Sequence, residues 1–307
     1  MTTAADTAST RRSLRLRARR SRRLLAAAAV CLILGLVPLT GIIAIQGANA
    51  HQAAVEAARQ ERAAAGWTPA EQRRTLAGAR AYNKALTASG QHAIGSITDP
   101  DTGAVDFAAR ADKDYWNALK GAQGLMGTVR IPRIGVTLPI RHGSDEAALA
   151  NGAGHLYGTS LPVGGKSTHT VITAHRGVPD KELFTRLDEL RKGDVFYLTV
   201  AGRTIAYKVF RIMDVDPQDT SHVRIRKGMD LATLLTCTPY GVNTRRLLVT
   251  GRRAAMPDDA PNVEDAPQDR KPLLVGAGTS LAVMFIGCSL IPSEKHVQGL
   301  HMKGTGH

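Results

Sequence analysis

The stretch TLLTCTPYGVNTRRLLVTGRR, Thr233 to Arg253, sets a single cysteine, Cys237, at the end of one apolar run and two arginines, Arg245 and Arg246, at the start of the next. A thiol becomes a nucleophile when a neighbouring cation or imidazole favours the thiolate over a free thiol of pKa about 8.5. A guanidinium near such a sulfur is a cation that can be aimed at the substrate. Of the ten histidines, His142, His155, His169, His175 and His222 fall in the strand-rich part of the chain. His175 stands apart because it ends the apolar run TVITAH and precedes Arg176-Gly177, just as Cys237 ends ATLLTC. Two strand ends at one rim of a rigid scaffold can bring an imidazole and a thiol together. Taken singly, each residue has a plainer reading: a packed small side chain, a structural imidazole, a solvated strand start. Their combination is what shifts the reading towards a nucleophilic cysteine.

The elements that must position these groups are short strands. GTVRIPRIGVTLPIRHG, HTVITAHRG, GDVFYLTVAGRTIAYKVFRIMDVD, DLATLLTC and RRLLVTGRR are β-branched, partly alternating runs punctuated by Gly, Pro and Asp. Ala201-Gly202 reads as a hairpin turn, and Pro132 and Pro139 as marks of edge strands or bulges. Leu183, Leu187 and Leu190, spaced i, i+4, i+7, predict one crossing helix over Asp180 to Gly193. Many short strands with one helix give a mainly β chain folded as a closed or nearly closed barrel. Before it, Thr68-Pro69 reads as a helix cap followed by proline in the first turn, and Ser96 to Asp106 as a loop.

The net charge of +14 raises nucleic-acid binding, but eight of the arginines sit between Arg11 and Arg23 with no acid among them. That block runs into Leu24 to Ile45, 22 residues without a charge, and a membrane helix needs about 20. The block is therefore expected to be a cytoplasmic anchor signal, not a nucleic-acid site. Gln46 to Ala50, QGANA, resembles a cleavage site, so removal of the first span is the alternative. Leu273 to Pro292 forms a second, weaker uncharged run of 20 residues, for which a buried helix is the alternative. The expected organisation is a cytoplasmic segment 1–23, a membrane helix 24–45, an extracellular helical and loop region 46–125, a catalytic barrel 126–253, an acidic, proline-rich linker 254–272, a second membrane helix 273–292 and a cytoplasmic tail 293–307. The chain is thus expected at the cell membrane, multi-pass, with the barrel outside. Cys31 and Cys288 fall within the spans, which leaves Cys237 as the external thiol with no disulfide partner there. No spacing makes a metal site, and the chemistry requires neither metal nor cofactor.

These motifs resemble the sortases, cysteine transpeptidases of the Gram-positive cell surface. TLLTC followed nine positions later by arginine, with TAHRG upstream, carries the resemblance, and IPRIGVTLPIRHG, GHLYGTSLPVGG and LFTRLDELRKGD extend it over roughly residues 80–253 in the order and spacing of the class C, pilin-polymerising type. The resemblance implies a closed sortase-type barrel of about eight strands with short helices. It also implies that His175, Cys237 and Arg246 are catalytic, acting on proteins that carry an LPxTG-like sorting signal. The acceptor is then an amine, a pilin lysine or, in the alternative, cell-wall precursor. Where class C typically has histidine before the catalytic arginine, this chain has Arg245. The class C lid motif, Asp-Pro-aromatic, reads here Asp99-Pro100-Asp101, so an acid replaces the ring. The lid is expected to be held less tightly or differently, the plainer reading being an exposed turn. A papain-like hydrolase has the opposite order, cysteine before histidine. A non-catalytic, membrane-tethered barrel module is the alternative from another class.

Overall fold

The computed structural model of the chain describes residues 4–91, 93–95, 107–121, 124–150 and 152–257. The described residues up to Ala44 form one unit and those from Ile45 onward another.

The first helix, α1 (Ala4–Ala65), takes in the arginine block and the apolar run. In the first unit Leu24, Leu25 and Leu34 are exposed. Among the described residues no helix is long and apolar enough to cross a membrane, so for the expected span over 24–45 the structure supplies a helical backbone and no more. The second expected span, Leu273 to Pro292, the linker from Asp258 and the tail lie outside the described residues.

In the second unit the rest of α1 packs on a barrel. Ala53, Ala57 and Ala64 are buried, small enough to bring the helix close. Gln60 donates from Nε2 to the Leu125 carbonyl at 3.2 Å, and Glu61 accepts from Thr128 Oγ1 and pairs with Arg130 at 3.4 Å. The second helix, α2 (Pro69–Ser89), has the expected start: Thr68 and Glu71 close a reciprocal capping box ahead of Pro69. Asn83 fixes α2 to the barrel by donating to the Leu161 carbonyl at 3.0 Å and accepting from the Leu161 N–H at 2.7 Å. Two single-turn helices follow, α3 (Phe107–Ala111) and α4 (Lys113–Asn117), the latter burying Tyr115.

Eight strands then close a barrel: β1 (Leu125–Ile131), β2 (Val136–His142), β3 (Ala153–His155), β4 (Thr168–Thr173), β5 (Val195–Val200), β6 (Arg203–Val215), β7 (Asp230–Thr238) and β8 (Arg245–Arg253). A short helix, α5 (Glu146–Leu149), lies between β2 and β3. The order around the barrel is β1-β2-β3-β4-β7-β8-β6-β5, closed by β1 against β5, with β2–β3 and β4–β7 parallel and the other pairs antiparallel. Closure depends on Gly127, where a Cβ would stand 2.3 Å from the Thr199 carbonyl oxygen. The predicted two-residue hairpin is present, with φ of 48° at Ala201 and 72° at Gly202, both left-handed as such a turn demands. Pro132 opens a 3₁₀ turn, Pro132–Ile134, and Pro139 lies within β2 beyond its ladder with β3.

Two expectations are corrected. The segment from Asp180 to Gly193 is not an α-helix: only Leu187–Glu189 forms a 3₁₀ turn. Leu183 takes a left-handed φ of 41°, and the Phe184 N–H donates to the His175 carbonyl at 3.1 Å instead of to a helical neighbour. The leucines nonetheless reach the core, since Leu183, Leu187 and Leu190 are all buried. Strand β3, within the glycine-rich GAGH, was not expected; at three residues it is too short to show alternation.

Strand alternation fixes which face each site residue occupies. Ala232 and Leu234 on β7 and Leu247 and Val249 on β8 join the barrel core. Leu235 and Leu248 face the other way, into a smaller cluster with Leu156, Val171, Val215 and Val223. Two residues on from Leu235 stands Cys237, and two before Leu248 stands Arg246, so both belong to this outer face.

Candidate active site

The antiparallel register of β7 with β8 pairs Cys237 directly with Arg246, and Thr238 with Arg245. Directly opposed residues share a face, so the Cys237 and Arg246 side chains leave the sheet on the same outer face. Strand β4 runs parallel to β7 with Thr173 opposite Leu235, and pairing continues past the strand end as the Ala174 N–H donates to the Leu235 carbonyl at 3.3 Å. Carried two residues further, the same register sets His175 level with Cys237. One row across β4, β7 and β8 thus holds imidazole, thiol and guanidinium in that order.

The two arginines part company. Arg245 donates from Nε to Asp214 Oδ1 at 2.6 Å and from Nη2 to the Asp214 carbonyl at 3.0 Å, which commits it to β6. Arg246 donates from Nη1 to the carbonyls of Asn243 at 3.1 Å and Arg245 at 3.2 Å, contacts that hold it on the β7–β8 turn without neutralising its charge. His175 is half-buried, its Nε2 3.3 Å from Oε2 of the exposed Glu146 on α5. The side chain of Cys237 is half-buried and its thiol free.

The remaining barrel histidines are otherwise engaged. His155 is fully buried between Tyr115 Oη at 3.1 Å and the Ser160 carbonyl at 2.9 Å, and burial pushes its pKa down to about 4. His169 faces the Arg224 carbonyl at 2.9 Å through Nδ1 and Thr233 Oγ1 at 2.7 Å through Nε2, and burial likewise brings it down to about 4. Desolvation also lowers His142. These three are neutral core groups near neutral pH. His222 stands 3.4 Å from Asp219 within its own turn. Asp99, Pro100 and Asp101 lie outside the described residues.

Residues that the motif reading missed surround the row. Thr236 Oγ1 donates to the Ala174 carbonyl at 2.8 Å, and Arg176 Nη1 donates to Thr238 Oγ1 at 3.2 Å. The Thr-Cys-Thr alternation was the available signal: it turns two hydroxyls to the face opposite the sulfur.

A thiol with an imidazole at one neighbouring strand end and a guanidinium on the other, on the outer face of a closed β-barrel, is an arrangement that can carry out nucleophilic acyl transfer. The family described as the sortase domain matches residues 129–254. Two solved structures align at a TM-score of 0.56 each: sortase C of Streptococcus pneumoniae, 43% identical over 64% of this chain and 95% of that one, and a pilus-related sortase C of Group B Streptococcus, 45% identical with the same coverage. Sortase D of Bacillus subtilis is 30% identical over 41% of this chain and 63% of its own, so the chain spans less than two thirds of that curated relative. The chain belongs to the sortase family, whose members are cysteine transpeptidases.

Proposed function

We propose that this chain is a membrane-anchored transpeptidase of the class C, pilin-polymerising type, with Cys237 as nucleophile. The observation that carries the reading is the single row of His175, Cys237 and Arg246 fixed by the β4–β7 and β7–β8 registers. Similarity of 43% to a structure described for its pilin substrate specificity, and of 45% to a pilus-related one, supports the class.

The thiolate of Cys237 attacks the carbonyl after threonine in an LPxTG-like sorting signal, and the oxyanion develops against Arg246. His175 gives a proton to the departing glycine amine, the C–N bond breaks, and a thioester remains on Cys237. An incoming lysine amine of another pilin subunit then attacks the thioester, yields its proton to His175 and leaves as an isopeptide while the thiolate is restored. The arginine block before the uncharged run 24–45, and the second run 273–292, support anchoring with the barrel on the extracellular side.

The test is to incubate the detergent-solubilised full chain with a pilin protein bearing a sorting signal. Covalent ladders that vanish in Cys237→Ala are expected. A single cleaved or singly joined product in place of ladders would count against pilin polymerisation.

A further inference from the structure

The row of chemical groups is backed, on the opposite face of the sheet, by a second row that holds it in register. Cys237 is bracketed by Thr236 and Thr238, and His175 by Ala174 and Arg176. The brackets join in order: Thr236 Oγ1 donates to the Ala174 carbonyl at 2.8 Å, and Arg176 Nη1 donates to Thr238 Oγ1 at 3.2 Å. Between these two cross-strand hydrogen bonds sit His175 and Cys237, the two groups that must act on the same substrate bond.

Among the described residues the backbone pairing of β4 with β7 stops short of His175: the ladder ends at Thr173, and the Ala174 N–H extends it by one bond to the Leu235 carbonyl. Beyond that point the chain turns at Gly177 into an irregular segment. Arg176 itself is not a solvated cation: its side chain is 7% exposed, and Nη2 donates to Asp188 Oδ2 at 2.6 Å in the turn that follows. Its Nε is buried with no partner, a cost accepted for a guanidinium aimed at this place. Thr238 is buried as well. A planar guanidinium held at both ends is stiffer than a lone hydroxyl contact, and a lysine cannot reproduce the two-ended hold.

We propose that Arg176 is a positioning residue: through Thr238 it staples the end of β4 to the end of β7 and so sets the separation of His175 from Cys237. The inference rests on the transpeptidase reading of the site. Loss of the staple lets the imidazole drift while the thiol stays on its strand, and drifts of about an ångström are enough to slow a reaction severalfold to a hundredfold.

The test uses the detergent-solubilised full chain with Arg176→Met, Thr238→Val, the double variant, and Thr238→Ser, which keeps the acceptor. Turnover of a sorting-signal peptide should lose about tenfold in kcat in either single variant with KM unchanged. The double variant should be no worse than the singles, because both remove one interaction, and Thr238→Ser should restore turnover. Alkylation of Cys237 by iodoacetamide, which needs no substrate, should slow in parallel. A kcat equal to wild type, additive losses in the double variant, or alkylation rates that follow thermal stability instead of the staple would overturn the proposal. Undiminished turnover by Cys237→Ala would overturn the reading of the site instead and leave the alkylation comparison to decide the staple.

Discussion

At the scale of single residues the two adjacent arginines separate by partner, although their chemistry is the same. Arg245 pairs with the Asp214 carboxylate through Nε and donates to the Asp214 carbonyl through Nη2, an exposed pair worth little to stability, and it is opposite Thr238. Arg246 is opposite Cys237. Arg246→Ala should therefore lower kcat/KM about 10²- to 10³-fold, the cost of removing one oxyanion donor, whereas Arg245→Ala should stay near wild type. Steady-state cleavage of a sorting-signal peptide by both variants measures the difference, and an equal loss in both would remove the distinction. In the sequence, strand alternation says that only one of the two arginines can face the site, and the nine-residue spacing by which the chain resembles the sortases points to Arg246. The contact of His175 with Glu146 was not legible, since it joins segments 29 positions apart through a loop whose path no periodicity records.

At the scale of elements, the strands could be read from the sequence and the connections could not. Alternation reports a face, so β1, β2 and β4 to β8 were visible. The leucines at 183, 187 and 190 satisfy helical spacing equally well on an irregular path, and the His175 carbonyl wins the Phe184 N–H that a helix would need. The seating of α1 on the barrel was likewise invisible, because it depends on which polar groups meet. Glu61 and Arg130 are 6% and 5% exposed at the helix–barrel boundary. Charges this far from water are stabilising only as a pair, so Glu61→Leu alone should cost about 3 kcal/mol by leaving Arg130 without its carboxylate. Adding Arg130→Met should recover much of that loss. Denaturant midpoints for the single and double variants provide the check; a double variant as unstable as the sum of its parts would mean that the pair acts independently.

At the scale of the whole molecule, the buried histidines make the barrel sensitive to acid. His155 and His169 titrate near pH 4 in the fold, both through burial, against about 6.5 in the unfolded chain. Between those values the unfolded chain binds more protons, so stability falls as the pH drops from about 6.5 and the loss levels off near pH 4. His142, lowered by desolvation, acts in the same sense. From pH 6.5 to 5, above most carboxylate titration, each of the two deep histidines should account for about 1.5 kcal/mol of lost stability. His169→Asn should flatten the pH dependence over this interval. The amide offers Arg224 a donor in place of Nδ1–H, but the group that takes up a proton on unfolding is gone. Denaturant midpoints at pH 6.5, 5.75 and 5 compare the slopes of variant and wild type. Equal slopes would place the acid sensitivity elsewhere.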